Sequence, residues 1–172
     1  MLTSRRLALV GAIFAAGILA VSGIIVVTAG NGKSELAEVK RAVNQYRDPA
    51  AAEAAGWVLI EGLDHCFEHP DGGMGIHYID GARIDTELDP LAPEALVFQH
   101  LPNGKLQLGA VEYIVDREAW DALGTVEHQM VLGQHLHPHD TLPIYVLHAW
   151  IFKNNPAGLF EDWNPKVTCP AN

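Results

Sequence analysis

The chain has 172 residues, of which 21 are acidic and 11 basic, and its formal net charge of −10 argues against nucleic acid and anionic lipid as partners. The length favours one domain with additional segments. Ser34 is the only serine after residue 30, which argues against a serine nucleophile, and the chain has no Walker loop or Cys-x-x-Cys pair.

The first thirty residues predict export. Arg5 and Arg6 precede an apolar run from Leu7 to Val27, which is long enough to span a bilayer. Val27-Thr28-Ala29 fits a signal-peptidase site, so cleaved signal peptide and uncleaved membrane anchor both stay open. We therefore expect residues 31–172 to form a periplasmic or extracellular domain, released or anchored to the inner membrane by residues 7–29, with no other contact with the membrane.

Cys66 and Cys169 are the two cysteines. An even number in an exported chain predicts one disulfide, which would tie the C-terminal tail to the segment before a glycine-rich turn. The alternatives are a thiolate metal site and an attachment cysteine.

Helical signals come early in the chain. Ser34 can cap a helix that continues to about Arg47, and Asp48-Pro49 can begin a second, short helix over Ala50–Ala55. Asp116 can cap a further helix, Arg117–Leu123.

Strand signals dominate the rest of the chain. We predict strands at Trp57–Ile60, Gly75–Ile79, Ala95–Leu101, Lys105–Val115 and Leu142–Phe152, and a loop at Thr125–Asp140. The order of elements predicts a single α+β domain: an N-terminal signal or anchor helix, two short helices, then a mainly antiparallel sheet.

The clearest element is a hairpin around Asn103-Gly104, a strong signal for a two-residue turn. That turn pairs Ala95 with Glu112, Val97 with Ala110 and Gln99 with Leu108.

Three polar residues interrupt apolar strand faces. His148 is the polar member of one face of Leu142–Phe152, Glu112 is the exception on its strand, and His77 follows the glycine-rich turn. A buried carboxylate needs a partner, and two imidazoles with one carboxylate can hold a divalent cation. The alternative is a hydrogen-bonded network of Glu112 with His148 or Arg83 that only orients the core.

A second candidate metal site is His135, His137 and His139, which share one side of the segment if it is extended. The alternative is a solvated loop. The chain also offers a metal-free pocket for a small apolar or aromatic ligand, lined by Tyr78, Phe98, Tyr113 and Trp150.

Several motifs together resemble an uncharacterised family of exported bacterial proteins. The likeness runs from about Tyr46 to Cys169 and is carried by the segments Gly73–Tyr78, Asp89–Leu96, Gly109–Tyr113, Leu147–Trp150, Asn155–Phe160 and Trp163–Cys169. The resemblance implies an extracytoplasmic setting and draws attention to His77, Glu112, His148 and the tail, but it implies no activity.

The sequence thus predicts an extracytoplasmic domain that binds one transition-metal ion (Cu, Zn or Fe) in a His/Glu pocket, with metal-assisted chemistry open. The alternatives are a metal-free pocket for a small molecule and a structural protein of the cell envelope. Neither enzymatic activity nor an oligomeric state follows from the sequence.

Overall fold

The structure, a computed structural model, describes residues 32–125 and 129–170. The predicted signal or anchor segment, residues 1–30, lies outside these residues. Within the described ranges, no helix is long and apolar enough to cross a membrane. Helices precede and flank an antiparallel sheet, so the domain is α+β as predicted.

The helices lie close to their predicted positions. They are α1 (Gly32–Val43), α2 (Pro49–Ala54) and α3 (Arg117–Ala122), and a single 3₁₀ turn, Asn44–Tyr46, follows α1. Asp48 Oδ1 accepts a hydrogen bond from Ala50 N at 2.9 Å, and Asp116 Oδ1 accepts one from Ala119 N at 2.7 Å. Both predicted aspartate caps therefore satisfy amides that the first helical turn leaves unpaired.

The sheet has six strands in the order β1-β2-β3-β4-β8-β7, and β5 and β6 form a separate two-stranded ribbon. The strands are β1 (Phe67–His69), β2 (Gly72–Ile79), β3 (Ala95–His100), β4 (Leu106–Asp116), β5 (Met130–Val131), β6 (Gln134–His135), β7 (His137–Pro138) and β8 (Ile144–Ala149).

The β3–β4 hairpin is present, but a bulge shifts part of its register. Ala95 pairs with Glu112 and Val97 with Ala110, as predicted, whereas Phe98 pairs with Leu108. The predicted two-residue turn and the pairing of Gln99 with Leu108 were wrong, because Leu101 N donates to Lys105 O and the turn has three residues. Gly109, an extra residue on β4, then shifts the register back to the predicted one. The bulge turns Leu108 to the opposite face from Ala110 and Glu112.

Three other predictions need correction. The Trp57–Ile60 segment makes only a single bridge, between Val58 and Ile79. Strand β8 stops at Ala149, because Trp150 N donates to Leu159 O, and Phe152 N donates to the bulge carbonyl of Gly109. The predicted loop Thr125–Asp140 contains the short strands β5, β6 and β7.

The two faces of the sheet pack differently. One face joins α1 and α2 in the main core through large side chains, among them Tyr78, Phe98 and Tyr113. The other face carries smaller residues, such as Ala95 and Ala110, and the tail after β8 covers part of it. This second face, here called the open face, also holds the polar residues that interrupt the apolar rows.

The tail is tied to the sheet at two places. Gly73 N donates to Val167 O at 3.0 Å, and Asn164 N donates to Gly73 O at 3.0 Å. A side chain at position 73 would collide with Val167, which explains the glycine. The predicted disulfide Cys66–Cys169 is confirmed, with a sequence separation of 103 residues, and it indicates an oxidising compartment.

The disulfide should contribute strongly to stability, because it closes most of the domain into one loop. We expect Cys66→Ser/Cys169→Ser to lower the free energy of unfolding by about 2–5 kcal/mol. Urea unfolding of both proteins under non-reducing conditions measures the difference. Adding a reductant should destabilise the wild type to the level of the variant and leave the variant unchanged; equal stability of the two proteins before reduction would contradict the prediction.

Glu94 is a second buried carboxyl, separate from the polar residues of the open face. Its side chain is 2% exposed, and Oε2 accepts a hydrogen bond from Ile114 N at 2.9 Å. Burial raises the pKa of Glu94 to about 7. The protonated form is thus favoured in the folded state, and stability is lost as the pH rises through this folded-state pKa.

We expect Glu94→Gln to remove this pH dependence, because glutamine keeps an oxygen acceptor for Ile114 N and carries no charge. Between about pH 5 and pH 8 the unfolding free energy of the wild type should fall relative to that of the variant. Thermal and urea unfolding across this range provide the measurement. The exposed Glu61→Gln is the control and should keep the wild-type slope; parallel curves for wild type and Glu94→Gln would refute the assignment.

Candidate metal centre

Strands β2, β4 and β8 bring the predicted polar residues to the open face. Glu112 on β4 pairs with His148 on β8, and on its other side it pairs with Ala95 of β3. His77 on β2 pairs with Val97, two residues further along β3. Because Ala95 is small, the longer side chains of His77 and Glu112 can reach across β3 and meet above it.

The three side chains converge at short distances. The Nε2 atoms of His77 and His148 are 3.2 Å apart, His77 Nε2 lies 3.5 Å from Glu112 Oε2, and His148 Nε2 lies 3.8 Å from Glu112 Oε1. One ligand atom from each residue lies within 4.8 Å of the other two, and all three residues are buried. Two nitrogen ligands of one tetrahedral ion, each about 2.0–2.1 Å from it, are about 3.3 Å apart. The buried cluster could therefore hold a metal ion.

A second carboxylate orients one of the imidazoles. His148 Nδ1 lies 3.0 Å from Asp162 Oδ1, and His137 Nε2 lies 3.0 Å from Asp162 Oδ2. Because a carboxylate only accepts, both ring nitrogens donate to it. This fixes the tautomer of neutral His148 and directs the lone pair of its Nε2 towards His77 and Glu112. Metal-bound histidines almost always have such a partner on the second nitrogen.

Burial and like charge keep His77 neutral. Burial, followed by the neighbouring His148, lowers the pKa of His77 to about 3. Burial also raises the pKa of Glu112, against the opposing effect of His148. An unprotonated imidazole is the form that binds a metal. A bound cation also stabilises the charged form of a buried carboxylate that has little positive charge near it.

Asp162 acts against burial and raises the pKa values of both histidines that donate to it. Burial alone would lower the pKa of His148, but Glu112 and then Asp162 outweigh it, so the pKa is raised. The hydrogen bond with Asp162 raises the pKa of His137. Burial acts to raise the pKa of Asp162, yet the hydrogen bonds from His137 and His148 outweigh burial and hold it below its usual range. Asp162 is therefore a fixed negative charge behind the cluster.

The two imidazole rings are held differently. The ring of His77 meets that of Phe67 edge-on, with centroids 5.9 Å apart, and its Nδ1 has no hydrogen-bond partner among the described residues. The ring of His148 stacks near that of Trp150, whose Nε1 donates to Glu161 O. The tail thus positions His148 through both Asp162 and Glu161, whereas packing positions His77.

A cavity of about 510 Å³ opens beside the cluster. Its buried end contains His77, Glu112 and His148, and its walls are mostly aliphatic. The most exposed of its lining residues, Ile60 and those of the segment 138–143, mark its mouth.

The second candidate site does not assemble as predicted. His135 is exposed on β6, His137 contacts Asp162, and His139 Nδ1 accepts hydrogen bonds from the amides of Thr141 and Leu142. In the described part of the chain, the cluster of His77, Glu112 and His148 is the group with metal-ligand geometry. His137 still contributes to this cluster, through Asp162.

The predicted aromatic pocket is instead packed core. Tyr78, Phe98 and Tyr113 are at most 4% exposed and lie on the helix face, and Trp150 packs under the tail. None of the four lines the cavity. Alternation identified strand residues that share a face, but it could not show which face the helices fill.

Arg83, considered as a partner for Glu112, lies elsewhere. Its Nε donates to Asp80 Oδ2 at 2.8 Å, and its guanidinium lies over the Trp57 ring. Asp162 was not among the predicted site residues, because it sits in an irregular tail without periodicity. Two signals pointed to the tail: the disulfide, which indicated that it returns to the sheet, and the family resemblance, which drew attention to it.

Comparisons of the chain with protein-family models, with curated proteins and with solved structures found no match. The resemblance to a family of exported proteins stays a prediction.

Proposed function

We propose that the protein is an extracytoplasmic metal-binding protein that holds one transition-metal ion between His77, Glu112 and His148. The observation that carries this proposal is the convergence of three buried ligand atoms at the spacing of one coordination sphere. The oxidising compartment indicated by the disulfide supports the extracytoplasmic location.

A hydrogen-bonded network without metal is the competing explanation. With His148 Nδ1 donating to Asp162, such a network has to place protons between His77 Nε2, His148 Nε2 and the Glu112 carboxylate, from the Nε2–H tautomer of His77 or from protonated Glu112 or His148. A divalent cation satisfies all three lone pairs at once. It also offsets the negative charge of Glu112, which is buried.

The ligand set favours zinc, iron or copper over calcium and magnesium, which prefer oxygen ligands. Two histidines and one carboxylate are the protein ligands of many catalytic zinc sites and of non-haem iron sites. Such a set leaves coordination positions for water or for another ligand. Here those positions would face the cavity.

Metal content tests the proposal directly. Full-length protein purified without a histidine tag should bind one zinc or copper ion, and His77→Ala/His148→Ala should retain roughly a tenth of this content or less, because it loses both nitrogen ligands. Elemental analysis after dialysis gives the content. Zinc at a hundred times its Kd should also raise the unfolding free energy of the wild type by about 2.7 kcal/mol.

The matched control is His135→Ala/His139→Ala, which also removes two imidazoles but from outside the cluster. It should keep the wild-type metal content. Loss of metal from this variant, with full retention by His77→Ala/His148→Ala, would assign the ion to the outer histidines and refute the internal site.

Asp162 should tune affinity without ligating the ion. We expect Asp162→Asn to weaken zinc binding about 10- to 100-fold, the usual effect of removing a carboxylate behind a metal-bound histidine. Glu161→Gln makes the same change of charge on the neighbouring exposed residue and should leave the affinity unchanged. Competition with a chromophoric chelator measures both; equal weakening in the two variants would reduce the role of Asp162 to net charge.

A further inference from the structure

The cavity is larger than an ion requires. Its volume of about 510 Å³ lies within the range of about 300–1,000 Å³ that is typical of small-molecule sites. A metal ion and its waters would occupy only the end formed by the three ligands. Most of the remaining space borders side chains that cannot coordinate an ion.

The chemistry of the cavity changes along its length. The buried end is polar and carries the three metal ligands, and the partly exposed Asp162 and His137 lie beside them. The walls between this end and the mouth are aliphatic, and they include Leu63, Met74, Ile79, Ile114, Ile144 and Val146. A ligand that fits both parts has a hydrocarbon body and one polar end.

Charge determines which polar end fits. In metal-free protein the charges of Glu112 and Asp162 are matched within the cluster by His148 and His137, so an entering anion meets no unpaired cation at this end. A divalent ion adds positive charge at this end and offers an open coordination position. An anionic oxygen donor can then coordinate the ion at this position.

We propose that the cavity binds an aliphatic monocarboxylate, whose carboxylate coordinates the metal ion at the buried end while its chain lies along the aliphatic walls. This inference rests on the proposed metal site. It makes the ion a condition for binding of the organic ligand, and it makes chain length the main determinant of affinity.

Decanoate, hexanoate and butanoate provide the test. With cobalt-loaded full-length protein, decanoate should change the visible spectrum of the ion, because a carboxylate replaces water in its coordination sphere. Affinity should rise about fourfold for each added methylene that is buried. Metal-free protein should bind decanoate at least tenfold more weakly in calorimetry.

A pair of variants separates the walls from the metal. Leu63→Gln places an amide on the cavity wall and should weaken decanoate binding severalfold with unchanged cobalt affinity. Leu59→Gln makes the same substitution at an exposed neighbour, 40% accessible, that does not line the cavity, and it should change neither.

Each outcome decides a different claim. Cobalt binding with an affinity for carboxylates that does not depend on chain length overturns the ligand inference and leaves the metal site standing. Equal binding of decanoate to loaded and metal-free protein overturns coordination by the carboxylate. Failure of cobalt, zinc and copper to bind refutes the metal site and this inference with it.

Discussion

The buried carboxylate of Glu112 is the constraint on which the rest of the site depends. Its residue is 5% exposed, in the middle of a sheet, and the nearest polar groups are the two imidazoles of His77 and His148. Transfer of a carboxylate from water to such a position costs several kcal/mol unless positive charge compensates it. A protonated His148 can compensate in metal-free protein and a bound cation in loaded protein. Binding of a metal ion to this site would therefore release protons.

The geometry that supports this exchange depends on features far apart in the chain. The bulge at Gly109 leaves the pairing of Glu112 with Ala95 and with His148 intact while it turns the apolar residues before it to the helix face. The tail supplies Asp162, and the disulfide at Cys169 and the backbone bonds at Gly73 hold that tail against the sheet. A polar cluster built from strands alone would lack the carboxylate that orients His148.

Much of this arrangement could be predicted where local rules apply. Strand alternation identified Glu112 and His148 as polar residues on apolar faces, and cysteine count with predicted export identified the disulfide. The bulge escaped because Gly109 shows no signal apart from being a glycine, and Asp162 escaped because an irregular tail has no period to interrupt. The prediction of an aromatic pocket was wrong for a different reason. Periodicity defines the two faces of a sheet, but tertiary packing decides which of them stays open.

The cavity above the open face is related to the size of the residues on that face. Ala95 lies between the strands of His77 and Glu112, where leucine or phenylalanine would fill a conventional core, and its small size leaves room for these two side chains to meet. Filling such a space with apolar side chains, and replacing the buried polar groups by apolar ones, are common routes to greater stability. At this site the chain keeps both the open space and the buried polar groups. Functional sites often combine less stable packing with a cluster of reactive or metal-binding groups. At such sites the free energy of ligand binding can offset the stability that is lost.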